Sequence, residues 1–277
     1  ALAFGGSNPS VTAATEEFNT GVAIGAWTTG GNMPTARMQL AGAGIQTAAL
    51  VFGGNPGIND TKSYNGTTWT NVDAFLTTGR QLLAGAGTQT SALAFGGEPS
   101  TAKTELYNGT SWAEVNDLNT AGKAAAGAGA SNTAVLAFGR YPAVTATENW
   151  NGTNWTAVNP LNTARGYLGG AGTNTAALAF GGRIAPGSST AVTESWNGTS
   201  WTEVNDLNTA RRTGAAAGST NTAALYAGGR DITAKTETWN GTNWTEIADL
   251  GTARYSLAGA GTNTAALAIG GDTPGAS

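Results

Sequence analysis

Residues 193–211 read TESWNGTSWTEVNDLNTAR. Within them, Asn197-Gly198 sits between two short runs anchored by Trp196 and Trp201. Asn-Gly between aromatic-rich runs is the strongest short signal of a β-hairpin, because a type I′ turn needs φ > 0 at both central residues. The same W-N-G-T-x-W block recurs at 150–155 and 239–244, and 64–69 and 107–112 carry it with Tyr leading. A degraded copy with a longer turn occupies 18–27. The second aromatics are Trp27, Trp69, Trp112, Trp155, Trp201 and Trp244, separated by 42, 43, 43, 46 and 43 residues. One basic residue per unit keeps the beat: Arg37, Arg80, Lys123, Arg165, Arg211 and Arg254. Self-similarity at a fixed period is the signature of a repeat architecture.

Working outward from the hairpin, each unit reads as four short strands. In the last copy, 254–262 (RYSLAGAGT) and 264–271 (TAALAIGG) are expected as strands one and two, with 236–240 and 243–247 as strands three and four. Four strands every 42–46 residues fit a blade of a β-propeller. The Ala and Gly of strand one suit a crowded axis, and the Trp and Leu suit the splayed outer space between blades. The expected fold is all-β: one domain over 1–277, a six-bladed β-propeller of four-stranded antiparallel blades. The Gly-pair strand occurs seven times, ending at Gly6, Gly54, Gly97, Arg140, Gly182, Gly229 and Gly271, whereas every other strand occurs six times. Six blades with a closing blade shared by both termini account for that count, and closure removes sheet edges. Either 1–6 or 264–271 then fills the contested slot. Seven blades with an incomplete last one is the rival.

Gly181-Gly182, Trp196, Trp201 and Arg211, and again Gly228-Gly229, Trp239, Trp244 and Arg254, follow one order. It is a Gly pair after an apolar strand, an aromatic, a Trp, then an Arg opening the next unit. In this the chain resembles kelch-type propellers over essentially its whole length. It departs from them where Arg140 replaces the second Gly, where Lys123 replaces Arg, and where Trp replaces the kelch Tyr. The near-identical wording of units four to six also resembles kelch-like repeat proteins encoded by marine bacteriophages. That resemblance implies a virion appendage such as a tail fibre, with a virion or extracellular location.

Composition narrows the chemistry. The 277 residues hold no Cys and no His, so disulfides, thiolate nucleophiles, Cys/His zinc sites and a histidine base are excluded. With 13 Lys+Arg against 17 Asp+Glu the net charge is −4, which lacks the basic face that nucleic acid needs. No apolar run approaches the ~20 residues of a membrane-spanning helix, so no membrane insertion is expected. The GAG runs lack a following Lys-Ser/Thr, so no phosphate loop and no cofactor are expected. Opening mid-pattern at Ala1, the sequence is expected to be a mature, trimmed or excised segment.

The two ends of the blades differ in wording. Turns between strands three and four, and between one and two, repeat Asn-Gly-Thr and Gly-Thr-Asn. The strand two–three loops instead read SNPSVTAA, NPGIND, EPSTAK, YPAVTA, RIAPGSSTAV and RDITAK. Loops on a rigid scaffold are where binding usually resides, so Tyr141, Arg183, Arg230 and Asp231 are the candidate ligand contacts. Arg165, Arg211 and Arg254 open strand one towards the same face, where an Arg ring at a channel mouth would hold anionic sugars or carboxylates. The competing reading is an Arg–Glu brace in each blade, using Glu105, Glu148, Glu194 and Glu237; Lys62 stands in the Glu position of another unit. The expected function is a non-catalytic binding or display module for a cell-surface glycan or protein receptor, with other virion proteins as further partners. The alternatives are a structural spacer or decoration protein, and a glycan-acting hydrolase, which would need two carboxylates set apart from the repeat.

Overall fold

The computed structural model describes residues 10–21, 25–230 and 233–273. Among these there is no helix; six four-stranded antiparallel sheets and one two-stranded sheet account for every strand. The first blade comprises Ala41–Ile45, Ala48–Phe52, Asp60–Tyr64 and Trp69–Phe75, hydrogen-bonded in chain order. The second to fifth blades repeat that meander, opening at Ala84–Thr88, Ala126–Ser131, Gly169–Gly172 and Ala215–Thr220.

The sixth blade is composite. Its inner strands are Ala258–Gly261 and Ala265–Ile269, and its outer strands are Thr15–Asn19 and Ala26–Thr29. Thr15 pairs with Ile269 and Phe18 with Ala266. This is the shared closure expected from the strand count, with the C-terminal copy in the contested slot and six blades in place of seven. The other copy, residues 1–6, lies outside the described residues.

Burial explains the wording of each strand. A blade is covered on both faces, so strand two is a continuous apolar run: Ala177–Phe180 (ALAF) is buried throughout. Strand four reaches the rim, so in Trp201–Val204 only the Trp is buried. Six apolar clusters fill the gaps between neighbouring blades; the one joining the third and fourth holds Leu136, Phe138, Leu161, Trp196 and Trp201. Each strand-four Trp also donates its indole N–H to a Thr hydroxyl on strand three of the preceding blade. Trp69 reaches Thr15, Trp112 Thr61, Trp155 Thr104, Trp201 Thr147, Trp244 Thr193 and Trp27 Thr236, all at 2.9–3.1 Å. The circle closes through Trp27. Truncating one such Trp is expected to cost about 3–5 kcal/mol.

Two local expectations need correction. The Asn-Gly hairpins are present, but not as type I′ turns. Only the glycines have positive φ, 90–98° at Gly66, Gly109, Gly152, Gly198 and Gly241. Four residues join Tyr64 to Trp69, and Asn65 Oδ1 accepts the N–H groups of Thr67 and Thr68 at 3.0 and 2.8 Å. The Asn side chain therefore does the work assigned to its backbone. Second, strand one begins at Ala258, not at 254, because Ser256 adopts φ 58° and breaks the strand.

Candidate binding face

The strand two–three loops and the links into strand one share one face, and the link is where its geometry is set. Gln39, Leu82, Ala124, Tyr167, Thr213 and Ser256 occupy the same place in the six links. All have φ of 52–59°, and they are the only non-glycine residues with positive φ among those described. Left-handed backbone costs roughly 1–2 kcal/mol for a residue with a β-carbon. The compensation is mutual: each of the six donates its N–H to the carbonyl of the equivalent residue one blade back, at 2.7–3.1 Å. Gln39 bonds to Ser256, so the six bonds form a closed circle around the axis.

Six further bonds lie outside this circle, one within each blade. The residue after the second position of each Gly pair donates its N–H to the residue just before the inner circle. The pairs are Asn55 to Met38, Glu98 to Gln81, Tyr141 to Lys123, Arg183 to Gly166, Arg230 to Arg212 and Asp272 to Tyr255, at 2.7–2.9 Å. Three positions per blade are thus fixed by main chain alone, and their side chains differ from blade to blade. They surround a depression of about 100 Å³ above the axis, lined by the inner circle and by leucines such as Leu40, Leu83 and Leu168. Below it runs a channel of about 90 Å³ lined by the Gly and Ala of strand one. A β-carbon on Gly259 there would stand 2.2 Å from the Ala216 carbonyl oxygen.

The candidate contacts divide into two groups. Tyr141, Arg183 and Arg230 hold equivalent places in the third, fourth and fifth blades, on the open face; Asp231 lies outside the described residues. Tyr141 and Arg183 are half-buried and Arg230 is exposed. Arg165, Arg211 and Arg254 are at most 1% exposed and lie within their blades. They pair with Glu194, Glu237 and Glu16 at 2.9, 3.1 and 2.8 Å. Burial pulls these guanidiniums below their ordinary pKa, and the adjacent carboxylates offset part of that shift. The second oxygen of each Glu accepts an N–H from the link between blades, Asn162, Asn208 and Gly251, each at 2.7 Å. The brace therefore fastens neighbouring blades together.

The two exceptions in the repeat now have an explanation. In the third blade the inner circle fixes the register, and Gly122, not Lys123, stands in the Arg position. Arg140, in the second-Gly position, reaches the same Glu148 at 2.9 Å. A β-carbon on Gly122 would come within 2.7 Å of Arg140 Cδ, so Gly and Arg have exchanged strands. In the first blade Lys62 replaces Glu, and Asp60 takes over, bonding Arg37 at 2.6 Å and Lys62 at 3.1 Å. Burial raises the Asp60 pKa, but the two cations outweigh it and hold the carboxyl below its ordinary value.

Sequence reasoning missed the inner circle and misplaced Lys123. Lys123 ion-pairs with Glu98, whose hydrogen bond pushes the ammonium pKa up, and its Nζ lies 5.7 Å from the Tyr141 ring. The one available signal was the change of residue two places after each Arg. Nothing in the residue types announces left-handed backbone at Leu, Tyr or Thr.

No family model matches the chain, and no curated protein matches it either. Among solved structures, one described as "Structure of YjhT" is similar with a TM-score of 0.74, covering 88% of this chain and 93% of that one at 14% identity. Likeness at that identity is likeness of fold, and the class is the six-bladed β-propeller.

Proposed function

We propose that this propeller is a non-catalytic binding and display module whose variable face recognises a cell-surface ligand, a glycan in the first instance. The kelch-type pattern and the wording shared with bacteriophage repeat proteins support placing it in a virion appendage such as a tail fibre. The observation that carries the reading is the closed backbone circle and the six main-chain bonds around it. They hold three positions per blade through main-chain groups, so the side chains there can differ, as a surface tuned for recognition requires. The depression of about 100 Å³ also favours a ligand laid across the face; enclosed small-molecule pockets are usually about 300–1,000 Å³. The recurring carboxylates Glu16, Glu105, Glu148, Glu194 and Glu237 are engaged by arginines. That use favours a binder over a hydrolase.

The test is glycan-array binding by the full chain beside a variant in which 183–192 is replaced by NPGIND, the equivalent loop of the first blade. Both loops supply the same carbonyls to the following link: Ile58 and Asn59 in the first blade, Thr190 and Ala191 in the fourth. The variant therefore keeps its scaffold contacts. Selective binding that disappears in the variant supports the reading. Binding retained by the variant moves the site elsewhere, and no binding to any glycan favours a spacer.

A further inference from the structure

The variable face is not chemically uniform. The fourth unit is the longest, and its extra residues form a small hairpin. Arg183 pairs with Ser189 across it, Ile184 donates to the Ser188 carbonyl at 3.1 Å, and Thr190 donates to the Gly182 carbonyl at 3.0 Å. The hairpin tip closes over its own base: a β-carbon on Gly187 would stand 3.1 Å from a terminal nitrogen of Arg183. On its other side the Arg183 guanidinium lies 5.0 Å from the Tyr141 ring centre. No carboxylate among the described residues pairs with Arg183. A planar fork held between a loop and an aromatic ring is an oriented donor for carboxylate.

Aromatic surface adjoins it. The Tyr141 and Tyr167 rings lie 5.5 Å apart at 55° to one another, across the junction of the third and fourth blades. Gly166 permits that approach, since a β-carbon there would meet the Arg140–Tyr141 peptide at 2.8–2.9 Å. Tyr167 also lines the axial depression. Beside the hairpin, Arg212 donates to the Gly187 carbonyl at 2.9 Å and to the Ser189 hydroxyl at 3.1 Å. Arg183, Arg212 and Lys123, the last paired with Glu98, thus lie in one sector of a chain whose net charge is −4.

We infer that this sector, built by Arg183, Tyr141 and Tyr167 with Lys123 behind, binds a carboxylate-bearing sugar. Arg183 takes the carboxylate, Tyr141 backs its guanidinium, and Tyr167 at the axial depression takes the C–H face of the ring. The inference rests on the display reading and names its ligand class. An acidic peptide offers the same charge but lacks a rigid ring to cover the tyrosine face.

The test is calorimetric titration of the full chain with oligogalacturonate, its methyl ester and a glutamate-rich peptide of equal charge. The uronate is expected to bind, and to weaken about tenfold or more when esterified or when Arg183→Gln removes the charged hydrogen bonds. Tyr141→Leu is expected to weaken it as well, with the thermal midpoint of both variants within a few degrees of the parent. Equal binding of acid and ester, wild-type affinity in Arg183→Gln, equally tight peptide binding, or no uronate binding would each overturn the inference. If the uronate fails while the array finds a neutral glycan lost on loop exchange, the display reading stands and only this inference falls. If both fail, both fall.

Discussion

The two ends of the disk solve the same problem, turning a chain between strands, by different means. At the Asn-Gly end the side chain is part of the turn: Asn240 Oδ1 accepts the N–H groups of Thr242 and Asn243, each at 2.9 Å, and Gly241 supplies φ 93°. Five blades use the same residues there, Asn supplying the acceptor and Gly the left-handed backbone. At the other end, main-chain groups of neighbouring blades bond to each other in one closed circle, and a further main-chain bond within each blade backs it. The difference teaches where a repeat protein is free to vary. Side chains are held constant where they make the turn and released where the backbone makes it.

The largest test of that contrast sets two arginines against each other. Glu194→Ala leaves Arg165 buried without its carboxylate, and is expected to cost about 3–5 kcal/mol in urea unfolding. Arg183→Ala, on the open face, is expected to stay within about 0.5 kcal/mol of the parent. Equal effects would erase the distinction between brace and face.

The third blade sharpens it. Arg140→Gly alone should destabilise by about 3 kcal/mol or more, since Glu148 loses its cation. Adding Gly122→Arg should restore most of the loss, because it rebuilds the arrangement of the other blades. A double-mutant cycle is expected to show coupling of about 2–3 kcal/mol; additive effects would refute the exchange of positions.

The smallest effects compare the turns themselves. Asn240→Ala should cost about 1 kcal/mol through its two lost acceptor bonds. Ser256→Gly, by contrast, should gain up to about 1 kcal/mol by relieving left-handed strain. Thermal midpoints moving in opposite directions would bear out the contrast; a loss at both positions would break it.

Much of the fold was legible because its determinants are local. Asn-Gly, the Trp pairs and the Gly pairs each mark a position within a few residues, and their period counts the blades. The strand surplus even announced a shared last blade. The candidate site was legible only in part. The differing loops marked Tyr141, Arg183 and Arg230, and the recurring Arg and Glu offered a brace for Arg165, Arg211 and Arg254 beside the ring of exposed arginines, without deciding between them. Their burial depends on Glu194, Glu237 and Glu16, the last of them 238 residues away. The misplacement of Lys123 has the same origin, since only the circle through Leu82, Ala124 and Tyr167 shows which residue stands where.

By itself, then, the sequence determined the repeat and the four-stranded unit and pointed to six blades over seven, because hairpins and packing faces are encoded at short range. The tertiary structure decided which arginines are structural, which copy of the Gly-pair strand closes the ring, and which residues meet above the axis. Those outcomes depend on bonds between neighbouring blades. In a closed ring the partner of any residue can lie a blade away or at the other end of the chain.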